Sequence, residues 1–90
     1  MKKVFKYKLS ITHVNKVIMP RDSTILKVGQ TNDSLCFWAM VDITKDLVAE
    51  ERYFRVYGTG HEIQSEEELF YLDTIVLEPQ RLVWHVFEII

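Results

Sequence analysis

Apolar and polar residues alternate with a period of two along much of the chain. Between residues 5 and 11 every odd position is apolar, and the even positions hold Lys6, Lys8 and Ser10. A β-strand directs successive side chains to opposite faces, whereas a helix would scatter these apolar residues around its circumference. The pattern predicts a half-buried strand, and its lysines are typical of a strand at the edge of a sheet.

Six further segments have strand character and are separated by turn residues. They are residues 16–19, 25–28, 35–41, 52–57, 71–77 and 82–90. Ser65 and Glu68 form a capping-box pattern, but the strand pattern resumes so soon afterwards that at most one short helical turn fits. Because no long amphipathic helix is available for a parallel crossover, the sequence predicts a single all-β domain over residues 1–90. We expect an antiparallel sandwich or small barrel of about seven strands.

Two of the predicted strands, residues 35–41 and 82–90, are apolar on nearly both faces. A sandwich of this size covers only one face of each sheet. The outer faces of these strands therefore need cover from the loops at residues 42–51 and 60–69, or from another subunit. We expect the protein to form a homo-oligomer, either a symmetric dimer or a higher cyclic assembly.

Charge and hydropathy exclude several classes of partner. The chain has 90 residues and a formal net charge of -2, which argues against general nucleic-acid binding because that function needs a clear basic excess. The longest apolar run is far shorter than the ~20 residues of a membrane-spanning helix. Lys6 and Lys8 interrupt any apolar leader segment, so we expect a cytoplasmic protein.

The residues that carry catalysis in other proteins are sparse here. The one cysteine, Cys36, lies in an apolar run and is expected to be a buried, inert thiol. No two of the three histidines have the spacing of a metal pair, and His85 is expected to be a hydrogen-bonded core residue beside Val83 and Phe87. A Cys36–His85 nucleophile pair stays open only if their strands are neighbours. We therefore expect that the protein is not an enzyme and that it binds no metal ion and no cofactor.

One segment has the composition of a ligand-binding loop. Two glycines around a threonine allow a ligand to approach the backbone closely, and the successive backbone N–H groups of such a turn can form an anion-binding nest. The Thr59 hydroxyl, the His61 imidazole and the Arg55 guanidinium are hydrogen-bond donors for a phosphate or carboxylate, and Arg52 is a second candidate arginine. Nearby aromatic rings offer surfaces on which a base can stack. The alternative is a plain exit from a strand, in which the glycines serve geometry only. The candidate ligand-binding residues are Arg55, Tyr57, Gly58, Thr59, Gly60 and His61.

Several short segments match a known family pattern. The most specific are Trp-Ala-x-Val-Asp at 38–42, Gly-Thr-Gly-His at 58–61 and Trp-His-Val-Phe-Glu at 84–88. With weaker matches at Phe5-x-Tyr7 and Pro20, the chain resembles over nearly its whole length a family of small tailed-bacteriophage proteins of unknown function. The resemblance implies a phage gene product at work in the cytoplasm of an infected bacterial host. It assigns no catalytic residues.

A phage origin favours proteins that counter host defences, although this is an argument by class. We expect a non-enzymatic binding protein that sequesters a small, anionic, nucleotide-like signal. The alternative is a protein–protein interaction module that inhibits a host defence enzyme or acts as an accessory in phage assembly. An enzyme acting on such a signal, with His61 as acid–base and Arg55 as anion clamp, lacks a second titratable partner in the sequence.

Overall fold

A computed structural model describes residues 1–12, 14–32, 34–44, 48–63 and 66–90. These residues form seven strands, which are β1 (Lys2–Lys8), β2 (Asn15–Pro20), β3 (Thr24–Thr31), β4 (Ser34–Asp42), β5 (Ala49–Gly58), β6 (Leu69–Leu77) and β7 (Leu82–Ile89). The all-β prediction is confirmed. The described part of the chain contains no helix, and so none that could cross a membrane.

The strands form two antiparallel sheets. One is three-stranded in the order β1-β4-β3, and the other is four-stranded in the order β2-β5-β7-β6. β1 is an edge strand, as its lysines predict. The two strands predicted to be apolar on both faces, β4 and β7, both lie inside their sheets.

The core lies between the two sheets and is built from alternate positions. Leu35, Phe37, Ala39 and Val41 point inward from β4 and are buried. The Phe37 ring lies 4.9 Å from that of Phe54, centroid to centroid, which joins the two sheets at their middle. This alternation places the remaining β4 side chains on the outer face.

Strand boundaries depart from the sequence pattern where backbone pairing outweighs side-chain alternation. β1 begins at Lys2 and ends at Lys8 because it pairs with β4 from Asp42 to Cys36. β3 continues through Gly29 to Thr31 for the same reason, since each paired residue satisfies its backbone groups. Ser65, the expected helix cap, lies outside the described residues.

Polar contacts tie the sheets together where β3 approaches β6. The Gln30 side-chain amide donates to the Glu78 carbonyl at 2.7 Å and accepts from the Glu78 N–H at 2.8 Å. Nearby, Lys27 Nζ lies 3.2 Å from Asp73 Oδ2. The two hydrogen bonds to Glu78 hold the turn between β6 and β7, which forms one wall of the cavity described below.

An ion pair lies on the inner face of the four-stranded sheet. Arg52 Nε and Nη2 donate to the two carboxylate oxygens of Glu88 at 2.6 and 2.7 Å, and Nη1 donates to the Ser23 carbonyl at 2.6 Å. The hydrogen bond to Glu88 raises the pKa of Arg52. Arg52 thus has a structural role and does not join the ligand-binding residues considered with it.

Candidate functional site

The sequence Gly58-Thr59-Gly60-His61 forms a tight turn at the end of β5. The His61 N–H donates to the Gly58 carbonyl at 3.1 Å, and Gly60 has φ 87°. A turn with positive φ at its third position favours glycine, which explains Gly60. Gly58 leaves room for the His61 ring, because a Cβ there would lie 2.7 Å from it and the ring would have to move.

The His61 imidazole folds back over this turn. The Gly58 N–H donates to His61 Nδ1 at 3.2 Å. Because Nδ1 accepts a hydrogen bond, the neutral ring carries its proton on Nε2. The Gly58 amide and the His61 amide are therefore both used inside the turn. These two amides are not available to the anion-binding nest expected from the glycines, so side chains are considered as further donors of the candidate site.

A cavity of about 230 Å³ lies between this turn and the start of β7. It is lined by Gly58, Thr59, His61, Arg81, Leu82, Val83 and Trp84. Three of the six predicted ligand-binding residues therefore meet at one concavity. Sequence reasoning missed Arg81, which a reverse turn brings to the rim from 20 residues beyond His61.

Trp84 forms the aromatic wall of the cavity. Its ring meets that of His61 edge-on, with centroids 6.0 Å apart. The indole Nε1–H is enclosed and has no hydrogen-bond acceptor among the described residues. A buried donor without an acceptor is costly and uncommon in folded proteins.

The other predicted residues do not all converge on this cavity. Arg55 and Tyr57 point to the outer face of the four-stranded sheet and line a second concavity of about 190 Å³ with Thr12, Val14 and Val56. Arg55 Nη2 lies 2.8 Å from Glu67 Oε1, so a carboxylate already neutralises the guanidinium. Gly60 has no side-chain neighbour and serves the turn.

A hydrogen-bonded chain on the outer face connects the turn to β6. Thr59 Oγ1 lies 2.7 Å from His85 Nε2, and Thr74 Oγ1 lies 2.9 Å from His85 Nδ1. Tyr71 Oη lies 2.7 Å from Thr74 Oγ1. His85 shares a face with Val83 and Phe87 as predicted, but that face is the outer one, and the expectation of a core histidine was wrong.

The thiol of Cys36 is buried, as expected from its apolar neighbours. It lies within 3.3 Å of Thr31 Oγ1 on the outer face of the three-stranded sheet. His85 belongs to the other sheet and faces the opposite way, so the two residues cannot form a nucleophile pair. Among the described residues, no group of three His, Cys, Asp or Glu side chains is arranged to hold a metal ion.

Comparisons with known proteins place the chain in a family but add no activity. No curated protein and no solved structure matches it. One family model matches residues 1–90, the whole of the chain. The protein belongs to the family described as a domain of unknown function, DUF7352.

Proposed function

We propose that this protein is a non-enzymatic binding protein for a small, anionic, nucleotide-like ligand. We further propose that it is a phage product that lowers the free concentration of a defence signal in the cytoplasm of the infected bacterium. The observation that supports binding best is the cavity at the end of β5, where His61, Arg81 and Trp84 meet. The phage context rests on the sequence resemblance alone.

The chemistry of the cavity suits a phosphate or carboxylate beside a flat ring. His61 offers an Nε2–H donor whose tautomer is fixed by the Gly58 amide. Arg81 Nη1 pairs with Glu78 at 3.1 Å, but both side chains are more than half exposed. Exposed ion pairs contribute little, so a ligand phosphate can compete for this guanidinium.

The backbone at Arg81 gives a second reason to assign a function to this rim. Arg81 has φ 59°, a left-handed conformation that costs a residue with a Cβ about 1 kcal/mol. Asp22 and Asn32 also have positive φ, but their residue types tolerate it. Strain at a residue without such tolerance is more frequent at binding sites than elsewhere.

The volume of the cavity limits how much of a ligand it can hold. The volume of about 230 Å³ lies below the range of roughly 300–1,000 Å³ that holds whole drug-sized molecules. The cavity therefore accommodates one end of a nucleotide, such as a phosphorylated ribose, while the rest of the ligand lies over the rim. In this proposal Trp84, which lines the cavity, contacts a ring or sugar through its apolar surface.

A thermal-shift screen tests this function. The panel contains mononucleotides, cyclic dinucleotides and ADP-ribose derivatives. A ligand at a hundred times its Kd adds about 2.7 kcal/mol of stability, and each kcal/mol moves Tm by roughly 4–8 °C in a domain of this size. We expect one class to raise Tm by ten degrees or more. A flat panel would exclude sequestration of these ligands.

Matched variants locate the site once a ligand is found. We expect His61→Ala and Arg81→Ala each to weaken its binding about tenfold, which corresponds to about 1.4 kcal/mol. Arg55→Ala separates the two concavities, because Arg55 lines only the second one. If Arg55→Ala abolishes binding while His61→Ala binds normally, the ligand occupies the second concavity and the proposed site is wrong.

The second candidate function is inhibition of a host protein, or an accessory role in phage assembly. Its support is the outer face of the three-stranded sheet, where Trp38 is partly exposed and its cross-strand neighbours are Lys6 and Lys27. Such a surface fits an acidic protein. A pull-down from infected cells with wild type and Lys6→Glu tests it, and a partner retained equally by both variants would contradict this surface.

A further inference from the structure

An aromatic face covers the outside of the four-stranded sheet. We define it by Tyr53 and Tyr57 of β5, Phe87 of β7 and Tyr71 of β6. The Phe87 ring meets those of Tyr57 and Tyr71 edge-on at centroid distances of 5.9 and 5.7 Å. Three aromatic rings thus form a row across three neighbouring strands, and Tyr71 remains 54% exposed.

The aromatic face carries both signs of charge in contacting pairs. Lys16 Nζ lies 3.9 Å from Glu51 Oε1, and Arg55 Nη2 lies 2.8 Å from Glu67 Oε1. Tyr53 Oη also donates to Glu51 at 2.7 Å. Two positive and two negative groups leave the face without net charge. An aromatic surface whose charges cancel has a composition that suits a homodimer interface.

The opposite outer surface of the sandwich has a different charge. Lys6 and Lys27 are the cross-strand neighbours of Trp38, and Lys8 lies beside Cys36. The acidic partner of Lys27 is Asp73, which belongs to the other sheet. Two copies meeting through this surface would bring like charges together, so self-association there is disfavoured.

We propose that a second copy of this chain docks on the aromatic face, so that two four-stranded sheets pack outer face to outer face about a two-fold axis. A two-fold contact places the same surface on both sides, so the surface must be complementary to itself. The aromatic face meets this condition, because its charges are paired within each copy and its rings pack on rings. This interface is independent of the proposed ligand.

The area of the sheet is sufficient for such a dimer. Four strands at about 4.8 Å spacing and eight residues at about 3.4 Å rise cover a rectangle of roughly 500 Å². Two such faces together bury roughly 1,000 Å², which is about the lower limit for a specific interface. The whole face must therefore take part, including Ile18 of β2, which is 61% exposed.

Sedimentation equilibrium between about 1 and 100 µM tests the interface. We expect wild type to approach twice the chain mass of 10.7 kDa. Tyr71→Lys and Ile18→Lys place a lysine on both copies at the contact, and each should raise the dimer dissociation constant at least tenfold. Both positions are more than half exposed, so the monomer should keep its fold, which circular dichroism checks.

Val4→Lys is the matched control, since Val4 is 56% exposed on the outer face of the other sheet. It should dimerise like wild type. Wild type that stays at the monomer mass up to 100 µM overturns the proposal. Folded Tyr71→Lys and Ile18→Lys variants that dimerise normally also overturn it, as does dissociation caused by Val4→Lys alone. A wild-type protein that stays monomeric but shows a ligand-induced thermal shift would contradict the dimer interface and leave the proposed ligand-binding function intact.

Discussion

Arg81 combines backbone strain with a position at the rim of the cavity, and this combination can be tested in one residue. Replacing it by glycine relieves the left-handed conformation at φ 59°. We expect Arg81→Gly to raise the free energy of unfolding by up to about 1 kcal/mol, as measured in urea. The same variant should weaken binding of the best nucleotide of the screen about tenfold, because the guanidinium is lost.

Asp22→Gly is the control for the gain in stability and the loss of nucleotide binding expected of Arg81→Gly. Asp22 also has positive φ, 64°, but it lies in the turn between β2 and β3. Its substitution should leave nucleotide affinity unchanged. If Arg81→Gly binds the nucleotide as tightly as wild type, Arg81 is not part of the site.

The Arg52–Glu88 ion pair leads to a second prediction, which concerns the free energy of unfolding. The two side chains are only 18% and 12% exposed. Arg52→Met leaves the Glu88 carboxylate inside the sandwich without its partner, which should cost about 3 kcal/mol in urea unfolding. The double variant Arg52→Met with Glu88→Leu removes both charges and should recover most of the loss. A double variant as unstable as the single one would contradict this account.

At the scale of elements, the Gln30 amide joins β3 to the turn that carries Arg81. Gln30→Ala removes both hydrogen bonds to the Glu78 backbone. Because water can replace part of them at this exposed site, we expect a loss of about 1–2 kcal/mol. Gln80→Ala, in the same turn, should change the urea midpoint little. An unchanged midpoint in Gln30→Ala would show that the turn holds without β3.

The edge strand β1 is held on the core by Tyr7, whose ring stacks on Phe37 at 5.3 Å. Burial raises the pKa of Tyr7 above its ordinary value of 10.0. Above pH 10 the unfolded chain loses this proton while the folded chain keeps it, so stability falls as pH rises. Tm should decline above pH 10, and Tyr7→Phe should decline less. Equal declines would show that Tyr7 is not the group responsible.

The positions of the strands could be predicted from the sequence, whereas the residues of the candidate site could be predicted only in part. Period-two alternation, or a short apolar run between turn residues, located all seven strands. It misplaced the end of β1 because pairing with β4, and not side-chain burial, sets that boundary. Arg81 could not be linked to His61, since their proximity depends on how β5 and β7 pair.

At the scale of the whole molecule, the sandwich is thin, measuring 43 × 32 × 16 Å. A chain of 90 residues buries only about 60–65% of its unfolded surface, so outer faces remain exposed. The two outer faces differ in charge, one neutral and aromatic, the other lysine-rich. On this asymmetry we propose self-association through the neutral face, which would leave the cavity at the end of β5 open to the proposed ligand.

The most direct test of ligand binding uses the two tryptophans, Trp38 and Trp84. Each indole N–H gives its own signal in a proton–nitrogen correlation spectrum, and Trp38→Phe assigns them. Trp84 lines the cavity, whereas Trp38 lies on the outer face of the three-stranded sheet. During titration with the nucleotide panel, we expect one class to shift the Trp84 signal in a saturable manner while the Trp38 signal stays fixed. If no nucleotide moves the Trp84 signal, or if Trp38 alone responds, the cavity is not the binding site.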